Sequence, residues 1–240
     1  MQVQSTISTY SLALRGLSKL VRNLSSLKPV SGPAEEVFQK IWANNYWGDA
    51  ESRSGGGSNL EQTALLRPAL SRLLHELKIQ SMLDLPCGDF HWMKETLFPD
   101  GMKYVGGDIV APLAEANEAK FGAPTRRFAQ MNLMEDPLPK VDLVFCRDCL
   151  VHLNYEQIGK AITNVKRSGS TYLLTTNFNG GRKNHDIRTG QWRPLSLSAA
   201  PFRFPEPIRW IDEGCTENGG KFRDKTMALW RIAELPDLAL

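Results

Sequence analysis

Asp84, Gly88 and Asp108 are the first residues whose types and spacing could do chemistry. The run Met82-Leu83-Asp84-Leu85-Pro86-Cys87-Gly88-Asp89-Phe90 reads as a short apolar strand breaking into a tight turn. A glycine there lets backbone approach a ligand closely, and a following helix aims N–H groups at negative charge. The turn therefore suits a nucleotide-like cofactor. Asp108 closes a second apolar run, Tyr104-Val105-Gly106-Gly107, 24 positions after Asp84. This spacing suits ribose or amino-acid recognition, since an ionised carboxylate accepts from two adjacent hydroxyls at once. The competing reading of Asp108 is a turn residue, or a cap for a helix opening at Ala111.

A second set follows the run Val141-Asp142-Leu143-Val144-Phe145-Cys146, which is continuous enough for a strand buried on both faces. It delivers Arg147-Asp148-Cys149-Leu150-Val151-His152 to the strand's carboxyl end. An imidazole titrates near neutrality, so His152 suits a general base, with Asp148 as alternative base or substrate anchor and Arg147 as a cover for a cofactor. The alternative for His152 is a packing or helix-capping histidine. Cys146-x-x-Cys149 is half of a zinc site or a redox pair, but no second C-x-x-C or histidine pair completes it, so no metal ligands are assigned. A divalent ion recruited by Asp148 and His152 stays open. The third set lies between Asn177 and Pro207, a long irregular stretch of the kind that forms lids or binding loops. Its His185, Trp192 and Arg193 are candidate substrate contacts; the alternative is a surface loop covering the sheet edge.

The elements that must position these residues follow from periodicity. Val37, Phe38, Ile41 and Trp42 make one apolar stripe and predict a lid helix over Glu35 to Ala43. Ser-Arg-Ser-Gly-Gly-Gly-Ser, residues 52–58, has the composition of a flexible linker. Ser58 and Glu61 predict a capping box for the next helix, restarted or kinked at Pro68. A short helix is expected from Phe90 to Leu97. Strands are expected over Arg126 to Gln130, Thr171 to Thr176, Ile208 to Ile211 and Thr226 to Ile232. Between two of them, Asn154 and Gln157 cap a helix carrying Ile158, Ala161, Ile162 and Val165, and Gly169 ends it. The β-helix-β rhythm implies an α/β domain with right-handed crossovers and ligands at the strands' carboxyl ends.

The segment Asp84-Leu85-Pro86-Cys87-Gly88-Asp89-Phe90 resembles the first motif of class I S-adenosylmethionine (SAM)-dependent methyltransferases, an acidic residue followed by a glycine-rich turn, D-L-G-C-G-T-G. Pro86 and Phe90 replace its first and last glycines. The resemblance spans about residues 35–235. It implies a Rossmann-like fold: a mostly parallel seven-stranded sheet, helices on both faces, an antiparallel last strand inserted between strands five and six, and an N-terminal helical lid. It also implies SAM as cofactor, held by Arg53, Asp84, Pro86, Cys87, Gly88, Asp108, Ile109, Met131, Asn132 and Arg147. In similar enzymes the turn at Met131-Asn132 holds the adenine, and Arg53 lies where it would meet the cofactor's carboxylate. The expected activity is methyl transfer to a small-molecule hydroxyl, a sugar or glycan favoured. The alternatives are an N-methyltransferase and a non-catalytic SAM-binding or scaffold domain. A nicotinamide enzyme is disfavoured, because Pro86 and Phe90 break the G-x-G-x-x-G fingerprint.

With 240 residues, 42% of them hydrophobic and 23% charged, the chain can bury one sizeable core. A net charge of +3 is too small for a nucleic-acid binder, and no apolar run approaches the ~18 residues of a membrane span. The four cysteines are scattered and argue for a reducing compartment. Residues 1–34 are set apart as an extension and 35–240 as the methyltransferase domain. Residues 1–30 carry Arg15, Lys19, Arg22 and Lys28, many serines and no acid, a composition shared by flexible extensions and transit peptides. The expected location is cytoplasmic, with an organelle as the alternative.

Overall fold

The computed structural model describes residues 32–240; the expectations for the first 31 residues lie outside them. Helix α1 (Ala34–Ala43) and a single 3-10 turn (Gly56–Ser58) precede helix α2 (Leu66–Glu76). The alternating part then runs β1 (Ser81–Asp84), β2 (Lys103–Asp108), α3 (Ala111–Phe121), β3 (Arg126–Gln130), β4 (Leu143–Cys146), α4 (Tyr155–Arg167) and β5 (Tyr172–Phe178). Strands β6 (Arg209–Asp212) and β7 (Lys225–Arg231) complete one seven-stranded sheet of order β3-β2-β1-β4-β5-β7-β6. β1 to β5 pair in parallel, whereas β7 lies antiparallel between β5 and β6. The order reverses beside β1, which has β2 on one side and β4 on the other. In a doubly wound sheet the ligand crevice opens at such a reversal, outside the strands' carboxyl ends.

Alternation along the central strands builds the two faces of the core. Leu83, Val144, Leu173, Ala228 and Trp230 belong to one buried cluster, while Met82, Leu143, Phe145, Leu174, Met227 and Leu229 belong to the other. Successive side chains of a strand point to opposite faces, so a sheet covered on both sides needs apolar residues at every position. Each large apolar side chain buried in this way contributes roughly 1.5–3 kcal/mol. Helix α4 covers one face with Ile158, Ala161, Ile162 and Val165, and its N-terminus closes with the expected capping box of Asn154 and Gln157. Gly169, at φ +66°, takes the chain out of that helix in the left-handed region.

Three local expectations change. Ser58 and Glu61 form no capping box: Ser58 belongs to the 3-10 turn, and the Asn59 side chain accepts from the Gln62 N–H instead, at 2.8 Å. Phe90 to Leu97 supports only one 3-10 turn, Met93–Glu95, because Phe90 itself sits at φ +56° and cannot open an α-helix. β4 begins at Leu143 rather than Val141, since the Asp142 carboxylate turns back to accept from the backbone N–H groups of Gln80 and Ser81. Among the described residues no helix is long and apolar enough to cross a membrane.

Candidate active site

The carboxyl ends of β1 and β2 form one wall of a cavity of about 130 Å³. Asp84, the last residue of β1, is buried there and accepts a 2.6 Å hydrogen bond from the Tyr104 hydroxyl on β2. Burial pushes its carboxyl up to about 8, against the Tyr104 bond. Asp108 ends β2 and ties the two strands' turns together, accepting from the Gly88 N–H at 3.1 Å and the Val110 N–H at 3.0 Å. Burial raises it to about 6, and those backbone donors hold it from rising further. Asn117 of α3 donates to the Gly88 carbonyl at 2.7 Å and fixes the turn from behind. Gly88 has φ +55°, and a Cβ there would collide with the Ser54 hydroxyl, so only glycine admits this approach of loop to turn. Phe90 stands where the resembled motif has its last glycine and keeps a left-handed backbone, its ring packed against Tyr104, Phe121 and Phe128.

The stretch with a linker's composition is fixed in place. Asp89 accepts from the Ser52 hydroxyl at 2.9 Å and the Arg53 N–H at 3.0 Å. Its own N–H donates to the Ser54 hydroxyl at 3.1 Å. At the other end the Gly57 carbonyl accepts from Arg147 at 2.8 Å. This strap carries Arg53 to the cavity, where its guanidinium lies 5.4 Å from the Trp42 ring centroid.

β4 presents Arg147 and Asp148 to the opposite wall. Arg147 is buried; its Nε and Nη2 donate to Glu213 Oε2 at 3.0 and 2.6 Å, and the guanidinium lies over Trp92. Asp148 Oδ2 accepts from Lys225 at 2.7 Å and lies 3.3 Å from Arg147. Burial alone would raise the Asp148 carboxyl, but the Lys225 and Arg147 charges outweigh it and hold it at about 2. Asp148 is therefore a fixed anion, a poor proton acceptor but a good anchor for a donor. His152 follows on a 3-10 turn, Leu150–His152. Its Nδ1 lies 2.9 Å from the Gln191 carbonyl, which can only accept, so Nδ1 carries the proton. Burial lowers the imidazole's pKa, against the Gln191 bond and the nearby Asp148 charge. The neutral ring packs against Trp47 at 5.0 Å with a 33° tilt and makes a T-shaped contact with Phe38, and among the described residues Nε2 has no hydrogen-bond partner. A neutral imidazole with a free Nε2 can take a proton from a ligand in the cavity.

The cavity thus brings together Arg53, Asp84, Pro86, Cys87, Gly88, Asp108, Ile109, Met131, Asn132, Arg147, Asp148 and His152. It does not include His185, Trp192 or Arg193. Arg193 is 1% exposed, and its guanidinium donates to the carbonyls of His185, Leu150, Val151 and Leu153, so it braces the His152 turn and has no free donor face for a substrate. Trp192 packs on Phe222 and Phe178 with its remaining surface in solvent, and His185 is exposed beyond the cavity. The site residues missed in the sequence are Phe38, Trp42, Trp47 and Trp92 on the cavity wall, Asp89 under the strap, and the Glu213–Lys225 partners of Arg147 and Asp148. The aromatics had a signal, since Phe38 and Trp42 lie on the lid helix and Trp47 just after it; Lys225 had none, being 77 positions from Asp148.

No family model and no curated protein matches the chain. Solved structures do. A SAM-dependent methyltransferase from Leishmania major superposes with TM-score 0.61 at 13% identity, covering 84% of this chain and 88% of that one. The 1,6-didemethyltoxoflavin-N1-methyltransferase of Burkholderia thailandensis, solved with S-adenosylhomocysteine, gives 0.55 at 18% identity, covering 85% and 92%. Human N-acetylserotonin methyltransferase, solved with SAM, gives 0.54 at 17% identity over 90% of this chain, which spans 66% of that chain's length. With its β3-β2-β1-β4-β5-β7-β6 sheet and its crevice at the β1–β4 reversal, this chain has the class I SAM-dependent methyltransferase fold.

Proposed function

We propose that the chain is a SAM-dependent methyltransferase acting on a hydroxyl oxygen of a small, ring-bearing acceptor, with a sugar as the favoured case. The residues present fit the cofactor: a turn that admits no Cβ at Gly88, a carboxylate on two backbone N–H groups at Asp108, and a cation without a carboxylate partner among the described residues at Arg53. Asp108 would accept from the ribose hydroxyls, Met131 and Asn132 would flank the base, and Arg53 would meet the carboxylate tail. When bound, SAM would supply an electrophilic methyl group on sulfonium sulfur, with neutral S-adenosylhomocysteine as the leaving group of an in-line displacement. The protein's part is to align the acceptor, exclude water and remove the acceptor's proton.

The observation that carries the choice of a protonated oxygen is His152, a buried neutral imidazole whose tautomer is set by the Gln191 carbonyl. It would take the hydroxyl proton at Nε2. Asp148, ionised at neutral pH, would accept from a second donor on the acceptor, while Phe38 and Trp47 line the cavity for its apolar side. One of the similar enzymes is an N1-methyltransferase, so the fold alone does not select the acceptor atom. Two measurements test the reading. Calorimetry should show S-adenosylhomocysteine binding and no comparable NAD binding. Labelled SAM should then transfer its methyl to neutral hydroxylated ring compounds ahead of amines; label appearing only on amines would refute the oxygen assignment.

A further inference from the structure

Asp89 has no role in the scheme above, yet both of its carboxylate oxygens are engaged. Oδ2 accepts from the Ser52 hydroxyl at 2.9 Å and the Arg53 N–H at 3.0 Å; Oδ1 accepts from the Ser54 hydroxyl at 3.4 Å and the His91 N–H at 3.2 Å. Three of these four donors belong to residues 52–54, and the Asp89 N–H returns a bond to Ser54 at 3.1 Å. A carboxylate so occupied has little left to offer a ligand. What it does is fasten the Arg53 part of a serine- and glycine-rich segment to the β1 turn, while Asp49 accepts from the Ser52 N–H at 2.9 Å and Arg147 holds the Gly57 carbonyl at the far end. The ordered segment displays Arg53 at the cavity, with no carboxylate paired to it among the described residues and Trp42 behind it.

We propose that Asp89 is a positioning residue that makes the pocket select the intact amino-acid tail of the cofactor, by holding Arg53 where its guanidinium meets the tail's carboxylate. The proposal rests on the SAM reading above. A guanidinium reads a carboxylate through two parallel N–H bonds, and that geometry is lost when the backbone carrying it wanders. Fixing the strap before binding removes the ordering cost from the binding step. Ser52 and Ser54 then serve the same purpose as partners of Asp89, and Gly88 is required because the Ser54 hydroxyl occupies the space of its Cβ.

The test uses two probes that share the adenosine and thioether and differ in the tail: S-adenosylhomocysteine, which has the amino-acid group, and 5′-methylthioadenosine, which lacks it. Dissociation constants are measured by calorimetry for the wild-type chain, Asp89→Asn, Arg53→Ala and the double variant. Asp89→Asn and Arg53→Ala should each weaken S-adenosylhomocysteine roughly tenfold and leave 5′-methylthioadenosine within about twofold. The double variant should lose little more than Arg53→Ala alone, since Asp89 acts through Arg53. Equal weakening of both probes in Asp89→Asn would overturn the proposal, because the carboxylate would then be shaping the turn for any adenosine. Unchanged S-adenosylhomocysteine binding in Arg53→Ala, whose side chain is exposed enough to be replaced without unfolding, would overturn it as well. A wild-type chain that binds neither probe overturns the cofactor reading itself, a result distinct from both.

Discussion

His152 and Asp148 lie four positions apart, and opposite environments give them opposite charge states. Asp148 is charged because Lys225 and Arg147 are beside it; His152 is neutral because burial disfavours its cation. If the imidazole is the base, His152→Ala should lower turnover by roughly 10²- to 10⁴-fold while SAM affinity stays within about twofold. The wild-type rate should rise with pH as the imidazole loses its proton, with a midpoint below the ordinary 6.5 because the pKa is lowered, and then level off. The variant should lack that acid limb. Near-normal turnover in His152→Ala would leave alignment alone as the source of rate. Asp148→Asn should act on acceptor affinity more than on turnover, since an acid held at about 2 is a weak base at any working pH.

At the scale of elements, what was legible in the sequence is what local pattern determines. The central strand β4 shows itself as a continuous apolar run, and helix α4 shows both its cap and its stripe. Its cap offers a separate check, because Asn154 follows the His152 turn by two residues and accepts from the Gln157 N–H at 2.8 Å. Asn154→Ala should cost about 1 kcal/mol, a drop of roughly 2–4 °C in melting temperature, with turnover at 25 °C unchanged because Arg193 and the Gln191 segment hold the turn independently. A collapse of activity without global unfolding would make the cap part of the site. Long-range partnerships were not legible. Residues 52–54 have a linker's composition, and Asp89, 35 to 37 positions away, ties them to the β1 turn as a fixed strap. Arg193 has the chemistry of a ligand-binding residue, but its partners are backbone carbonyls about 40 positions back. Residue type gives a side chain's capacity; the fold decides which partner uses it.

At the scale of the whole molecule, the crevice at the sheet's reversal point buries two acids, and that burial links cofactor binding to global stability. Asp84 is 2% exposed with one hydrogen-bond partner among the described residues, Tyr104, and its carboxyl is pushed up to about 8 by burial. In the unfolded chain the same group titrates near 3.8. A folded pKa above the unfolded one means that its stabilising contribution is complete below about 3.8 and is lost as pH rises through about 8. Ligand-free wild-type protein should therefore lose melting temperature between pH 4 and 8 relative to Asp84→Asn, whose neutral amide can keep the Tyr104 bond and has no proton to give up. Asp108, raised to about 6, also titrates in this window and its charge helps to push Asp84 up, so the same comparison is repeated in an Asp108→Asn background to separate the two. The cationic sulfonium and ammonium of SAM should favour the ionised carboxylate, so binding near pH 7 should release protons to the buffer in wild type and fewer in Asp84→Asn. Melting curves that stay parallel from pH 4 to 8, with equal proton release in both proteins, would mean that Asp84 is already ionised in the folded chain.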